Sequence, residues 1–404
     1  MLCGLSTENH PCAEIPGAYI ANFSSLKLVQ ASNFREFRNS FKAKMCRSFI
    51  VPANTFDNVD SHFPVGFYIW NSQQDNEVFE KCISDVYNKD GILLGKKYIY
   101  SFQNDRLLID WLRSFYDKDH KAIGFQMVIG TDIQHNNGVY ISNWVRENDI
   151  KKHMFARITY NNLTHMAIYT AIRQIIANTW INNKDQYLWP DDGWTNDQFF
   201  KSDCLTYCLF SNTIESSKNE NHFIPFIETE VDAKEGFTSH FMTDYMLGKV
   251  KEEFIRPEKK DATDGELCFE DESQEERPSL QPLVFSDAAK DVFDSGRELW
   301  KYYHQQKGAL PDASFYDIRL HFQGKKTTAK GKEQMNTESS DAKYTELIKD
   351  LRQKLACLAK KIEPKIYEYG FLKRNYDSIA RKAVQTEFLS AIENDTKVPD
   401  PFVS

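Results

Sequence analysis

Ser48-Phe-Ile-Val-Pro-Ala-Asn-Thr-Phe56 and Phe63-Pro-Val-Gly-Phe-Tyr-Ile-Trp70 decide how the rest of the chain is read. Residues 48–51 and 65–70 are short apolar runs, each the length of a buried strand. Upstream, Leu26, Leu28, Val29, Phe34, Phe37 and Phe41 recur at helical spacing, with Arg35, Arg38 and Lys42 between them, which predicts a helix from Phe23 onward. Downstream, residues 81–100 alternate around the turn signal Asn88-Lys-Asp-Gly91. Residues 122–130 and 138–144 repeat that arrangement around Asn136-Asn-Gly138. The stretch 45–145 therefore reads as mostly sheet, apart from a helix over about 105–116.

Beyond Thr159 the periodicity changes from two to between three and four. Leu163, Met166, Ala167, Ile172, Ile175 and Ile176 open a helical part that continues through 196–211, 234–248 and 286–304. Ser286 can cap the last of these, with Val292, Phe293, Leu299, Trp300 and Tyr303 as its apolar face. Residues 341–362 are amphipathic through Tyr344, Leu347, Ile348, Leu351, Leu355, Leu358 and Ile362, and the helix is expected to end before Pro364. Two stretches read as mobile: an acidic linker, 257–283, and a Lys/Gly/Thr/Ser-rich loop, 324–341.

The chain has 404 residues and a net charge of −8, enough material for two to three domains. The acids cluster: residues 257–283 alone carry −6, while 324–382 carry +7, so a basic face can exist on an acidic protein. No apolar run reaches the ~18–20 residues of a membrane span. The first ten residues lack a basic start and an apolar stretch, so the cytoplasm is the expected compartment. Eight cysteines in so long a chain are not a disulfide framework.

Several chemistries lack their motifs. The thirteen prolines are never adjacent, so the Asp/Asn/Ser-Pro-Pro-aromatic loop that holds a flipped base in amino-methyltransferases is missing. The glycines form no Gly-x-Gly, and there is no Gly-Lys-Ser/Thr phosphate loop. Cys204 and Cys208 sit on a helix without a partner pair and read as packing residues. Pro190-Asp191 followed by Asp232-Ala233-Lys234, with Glu228 and Glu230 nearby, resembles the pattern of a metal-dependent nuclease, but at long spacing and at a helix start, where a solvated surface is the simpler reading. Trp189-Pro-Asp-Asp-Gly-Trp194 reads as a tight turn clamped by two indoles.

Residues 19–70 resemble one half of a known fold. Tyr19-Ile-Ala-Asn-Phe-Ser-Ser-Leu-Lys27, the helix bearing Asn33-Phe-Arg-Glu-Phe-Arg38, then 48–56 and 63–70 look like the stretch after the catalytic loop of adenine-specific DNA methyltransferases of bacterial restriction-modification systems. That stretch runs strand, helix, strand, loop, last strand. Ser239-His-Phe-Met242, Gly296-Arg-Glu-Leu-Trp-Lys-Tyr-Tyr-His304, Ser314-Phe-Tyr-Asp-Ile-Arg319 and Lys365-Ile-Tyr-Glu-Tyr-Gly370 are similar to C-terminal regions of large members of that family.

The resemblance implies a fold of mixed α/β plus α class. It comprises a partial class I, Rossmann-like methyltransferase sheet at 1–72, a β-rich insertion at 73–150, a helical region at 151–256 that would hold the target-recognition surface, the linker 257–283, and a helical C-terminal region, 284–404. By the same resemblance, Phe56 stacks on the flipped adenine, with Phe63 as the other register. Lys325, Lys326, Lys330 and Lys332 are candidate contacts to DNA phosphates, and Lys349, Arg352, Lys354, Lys360 and Lys361 follow on the next helix. The implied cofactor is S-adenosylmethionine, which this chain alone is not expected to bind. The implied partners are double-stranded DNA and the missing methyltransferase half, as an upstream segment or a separate subunit. The alternative is a non-catalytic specificity protein that binds DNA or a restriction subunit.

Overall fold

The computed structural model describes residues 17–59, 63–72, 78–145, 154–211, 214–215, 220–250, 281–329 and 331–375. It is a mixed α/β structure with two main sheets, each backed by its own buried core.

The first sheet contains β1 (Tyr19–Ser25), β2 (Lys44–Pro52), β3 (Pro64–Asn71), β4 (Lys81–Tyr87) and β5 (Leu93–Tyr100), in the order β1-β3-β2-β4-β5. The element order of 19–71 is that expected, but the expected parallel half-sheet is not what forms. β3 lies between β1 and β2 and runs antiparallel to both, β4 and β5 form an antiparallel hairpin, and only β2 and β4 are parallel. The reason is legible in β3: buried Gly66, Tyr68 and Trp70 alternate with half-buried Val65, Phe67 and Ile69. An antiparallel sheet tolerates one open face, whereas parallel strands require both to be covered. Because every residue of 65–70 is apolar or aromatic, the sequence made both faces look buried. The sheet also runs across position 72, since β4 and β5 complete it, while the strands after residue 122 belong to the second sheet.

The helix expected from Phe23 is split. Pairing with β3 keeps residues 19–25 extended, and the chain then makes two short helices, α1 (Lys27–Gln30) and α2 (Arg35–Ser40), separated by extended Ala31. Buried Arg38 bridges the break: its Nη1 donates to the carbonyls of Leu28 and Ala31, 3.0 Å each, and the Ala31 carbonyl also accepts from Phe34 N at 3.2 Å. On the inner face Ile50, Tyr68, Trp70, Val86 and Ile99 pack with Leu26, which precedes α1, with Val29 of α1 and with Ile181. Gly66 is required there, because a Cβ would run into the Tyr68 ring.

After α3 (Leu108–Arg113), the second sheet, in the order β8-β6-β7-β9, consists of β6 (Gly124–Val128), β7 (Val139–Ser142), β8 (Met154–Ile158) and β9 (Ile214–Glu215). It packs on α4 (Leu163–Ile175) and α5 (Gln198–Phe210), and beyond them on α7 (Asp287–His304) and α9 (Ala342–Glu368). The predicted helix 234–248 shortens to α6 (Phe241–Met246). Ser286 caps α7, its Oγ accepting from Ala289 N. α9 continues through Pro364, contrary to expectation. Leu358, Ile362 and Ile366 carry the buried seam across the proline, and Lys360, whose carbonyl loses its donor, is exposed to water. After α8 (Phe315–Gln323), the segment expected to be a mobile loop contains a hairpin of β10 (Lys325–Thr327) and β11 (Glu333–Met335).

The two cores meet at a buried ion pair. Lys97 of β5 donates to Asp185 Oδ1 at 2.7 Å and to Ile181 O at 2.6 Å, and Gln30 Nε2 donates to the same carboxylate at 2.8 Å. Burial pulls the Lys97 ammonium below its usual range, opposed by Asp185.

Candidate nucleic-acid interface

The outer face of the first sheet is aromatic. Phe23 of β1, Phe67 of β3 and Phe49 of β2 are direct cross-strand partners, and their rings meet at 4.7 Å (Phe23–Phe67) and 5.2 Å (Phe49–Phe67) between centroids. Tyr87 of β4 adds an edge contact to Phe49 at 6.0 Å. Arg47 lies on the same face, opposite Ile69.

Phe56 stands where β2 leaves the sheet. A short 3-10 turn, Ala53–Thr55, is closed by Phe56 N donating to Ala53 O at 3.1 Å, and Ala53 N donates to Phe63 O at 2.9 Å, pinning both ends of the loop. The Phe56 ring is perpendicular to Phe23 at 5.5 Å. Phe56 is 37% exposed and Phe23 54%, whereas Phe63 is half-buried and its carbonyl is engaged by Ala53. Of the two registers, Phe56 is the more exposed. Beside it, β1 is the outermost strand, and no other strand pairs with its outer edge among the described residues. At the far edge, Tyr98 N donates to Asn375 O at 2.7 Å.

The one parallel strand pairing of this sheet leads out of β2 into Pro52-Ala-Asn-Thr-Phe56, which has no glycine to let the backbone close on a ligand.

The candidate lysines belong to the other core. Lys325 and Lys326 lie on β10 and Lys332 just before β11, while Lys330 falls outside the described residues. Lys325 Nζ pairs with Glu333 at 3.2 Å. On α9, Lys349 and Lys354 border a cavity of about 530 Å³ shared with Asp291, Asp294, Glu298, Glu346 and Asp350, and Lys354 approaches Asp291 at 3.8 Å. The positive stretch is thus interleaved with acids, three of them from α7, which lie far off in sequence. Among the described residues Phe56 and the candidate lysines are not brought together.

Two of the nuclease-like carboxylates, Asp191 and Glu228, are engaged elsewhere. Asp191 accepts from Gly193 N at 2.9 Å as a turn cap. Glu228 is held down to about 2, first by its hydrogen bond from His240, at 3.0 Å, and it also accepts from Phe237 N at 2.7 Å. Asp232 has a positive φ of 52°. Among the described residues no three His, Cys, Asp or Glu side chains are grouped to hold a metal ion. Cys204 and Cys208 are buried in the larger core, where burial pushes the Cys204 thiol well up. The indoles of 189–194 do not clamp one turn together: Trp194 packs on Trp111 at 5.5 Å, and Trp189 carries the Arg106 guanidinium 3.3 Å from its ring centroid.

Two clusters had no sequence signal. The Arg106–Trp189 stack joins residues that share no periodic pattern. His222 Nδ1 lies 2.7 Å from Ser239 Oγ beside a second cavity of about 530 Å³. That hydroxyl also accepts from Phe241 N at 3.2 Å, which makes it a turn cap.

No family model, curated protein or solved structure matches the chain. Among the described residues no helix is long and apolar enough to cross a membrane.

Proposed function

We propose that this chain is the DNA-binding and base-positioning part of a site-specific adenine DNA methyltransferase of a restriction-modification system. The observation that carries the reading is Phe56: an exposed ring at the exit of β2, perpendicular to exposed Phe23, at the loop before the last strand of the 19–71 unit. An aromatic surface in that position can replace part of the stacking that a base loses on leaving the duplex, worth about 1–3 kcal/mol. Methyl transfer from S-adenosylmethionine then requires a further methyltransferase half, as an upstream segment or separate subunit, to supply the cofactor site and the Pro-Pro loop. The unpaired edge of β1 and the open face of Phe23, Phe49 and Phe67 are where such a half would dock.

The same open edge supports a second reading, a specificity protein that binds DNA or a restriction subunit without chemistry of its own. Binding of the full chain to a duplex with one mismatched adenine, compared with its fully paired counterpart, separates the two. Base positioning predicts tighter binding to the mismatch and loss of that preference in Phe56→Ala. Equal affinity for both duplexes, unaltered by the substitution, refutes it.

A further inference from the structure

Where α9 ends, the chain turns back toward the first sheet, and Lys373 and Arg374, with Arg106 from far earlier in the sequence, are each placed over an aromatic ring. Leu188 N donates to Phe371 O at 2.9 Å, Asp191 N to Tyr369 O at 3.0 Å and Tyr98 N to Asn375 O at 2.7 Å, so residues 369–375 are pinned between the Trp189 segment and β5. Trp189 N also donates to Arg106 O at 2.9 Å, which holds the Arg106 guanidinium against the indole. Lys373 Nζ stands 4.9 Å from the Tyr100 ring centroid and pairs with Asp105 at 2.9 Å. Arg374 lies 5.3 Å from the Tyr367 ring.

Asp105 is engaged by Lys373 and, through its carbonyl, by Arg35 Nη2 at 2.9 Å. Asp191, beyond Pro190, is occupied as a turn cap, which leaves Asp192 as the exposed acid of the adjoining turn. Arg106 and Arg374 are both exposed, and neither has an acidic partner among the described residues. A guanidinium held against a ring, as Arg106 is at 3.3 Å and Arg374 more loosely at 5.3 Å, keeps its N–H groups available to take a phosphate through two hydrogen bonds.

We propose that Arg106 and Arg374, supported by Trp189 and Tyr367, form a phosphate-binding strip that holds the DNA backbone. The inference rests on the DNA-binding reading above and moves the main backbone contact from the lysine hairpin to the seam between the two cores. These contacts fix the position of the duplex and carry no sequence information.

The test is the salt dependence of binding to a random-sequence 30-mer duplex by the full chain, wild type and Arg106→Gln/Arg374→Gln. Each phosphate contact contributes about 0.9 to the slope of log K against log salt, so the double variant should lose about 1.8. An unchanged slope while the wild type binds overturns the strip and leaves DNA binding standing; a wild type that does not bind at low salt overturns both. A second measurement covers a variant that fails to fold. Ultraviolet crosslinking of a bromouracil-substituted duplex to the wild type should label peptides containing Trp189, Tyr100 or Tyr367, and labelling confined to the 325–335 hairpin contradicts the strip.

Discussion

The two cores differ in how they place most of their aromatic residues, although Phe199 of α5 in the larger one is 51% exposed. In the larger one, Phe210, Phe226, Trp300 and Phe315 are buried among α5, α7 and α8. In the five-stranded sheet, rings of the same kind split by face: Tyr68 and Trp70 lie in its core, while Phe23 and Phe56 stand in solvent. Burying apolar surface stabilises a fold, and rings left exposed together mark a place where something binds. The larger core is therefore the part that holds itself together, and the sheet is the part with an unfinished side.

The sharpest way to break this division is at the seam. Asp185→Ala leaves Lys97 buried without its counter-charge, an expected loss of about 3–5 kcal/mol in urea unfolding. Lys97→Met with Asp185→Leu should recover part of it, because an apolar pair of similar volume needs no desolvation but takes away the partners of Gln30 Nε2 and Ile181 O. If the single change costs nothing, the ion pair does not join the two regions.

Next in size is the contrast between faces. Leu351 on α9 is fully buried, and Leu351→Ala should cost about 2–5 kcal/mol. Phe23→Ala and Phe56→Ala should shift stability by no more than about 0.5 kcal/mol in the same assay, as surface positions do. A loss at Phe56 comparable to that at Leu351 would make it a core residue.

A smaller effect follows from His165, stacked 3.6 Å from Phe115 and near Trp111 and Trp194. Burial, with a smaller contribution from Lys201, lowers it from 6.5 to about 4. Between those values the unfolded chain binds a proton that the folded chain refuses, so stability falls as pH drops through this window. Asp117 is held down to about 2: burial alone would raise it, but hydrogen bonds from His120, Thr159 and two backbone amides outweigh that. Its contribution, like that of Glu228, is lost only below about pH 4. Thermal melts of His165→Phe should lose part of the slope between pH 6.5 and 4, and an identical slope would show that the imidazole is solvated.

Local signals in the sequence carried much of this fold. The hairpin at Asn88–Gly91 forms, with Gly91 at φ 78°, and Ser286 caps its helix as its hydroxyl chemistry suggests. What failed was long-range or masked by composition. An all-apolar run hides which face of β3 is open, and a proline hides that the seam of α9 continues past it. Lys97 and Asp185, 88 residues apart, announce nothing until the fold joins them. The candidate site shows the same limit: the exposure of Phe56 follows from its place at a strand exit, but the acids that interleave with the α9 lysines come largely from another helix.

Hydrogen–deuterium exchange of the full chain, alone and with a mismatched duplex, tests the central claim directly. If Phe56 and the edge of β1 meet the duplex, exchange slows at 53–59 and along β1, with the buried turns of α9 unchanged. Protection confined to the helical core, with 53–59 exchanging as in the free chain, would contradict it.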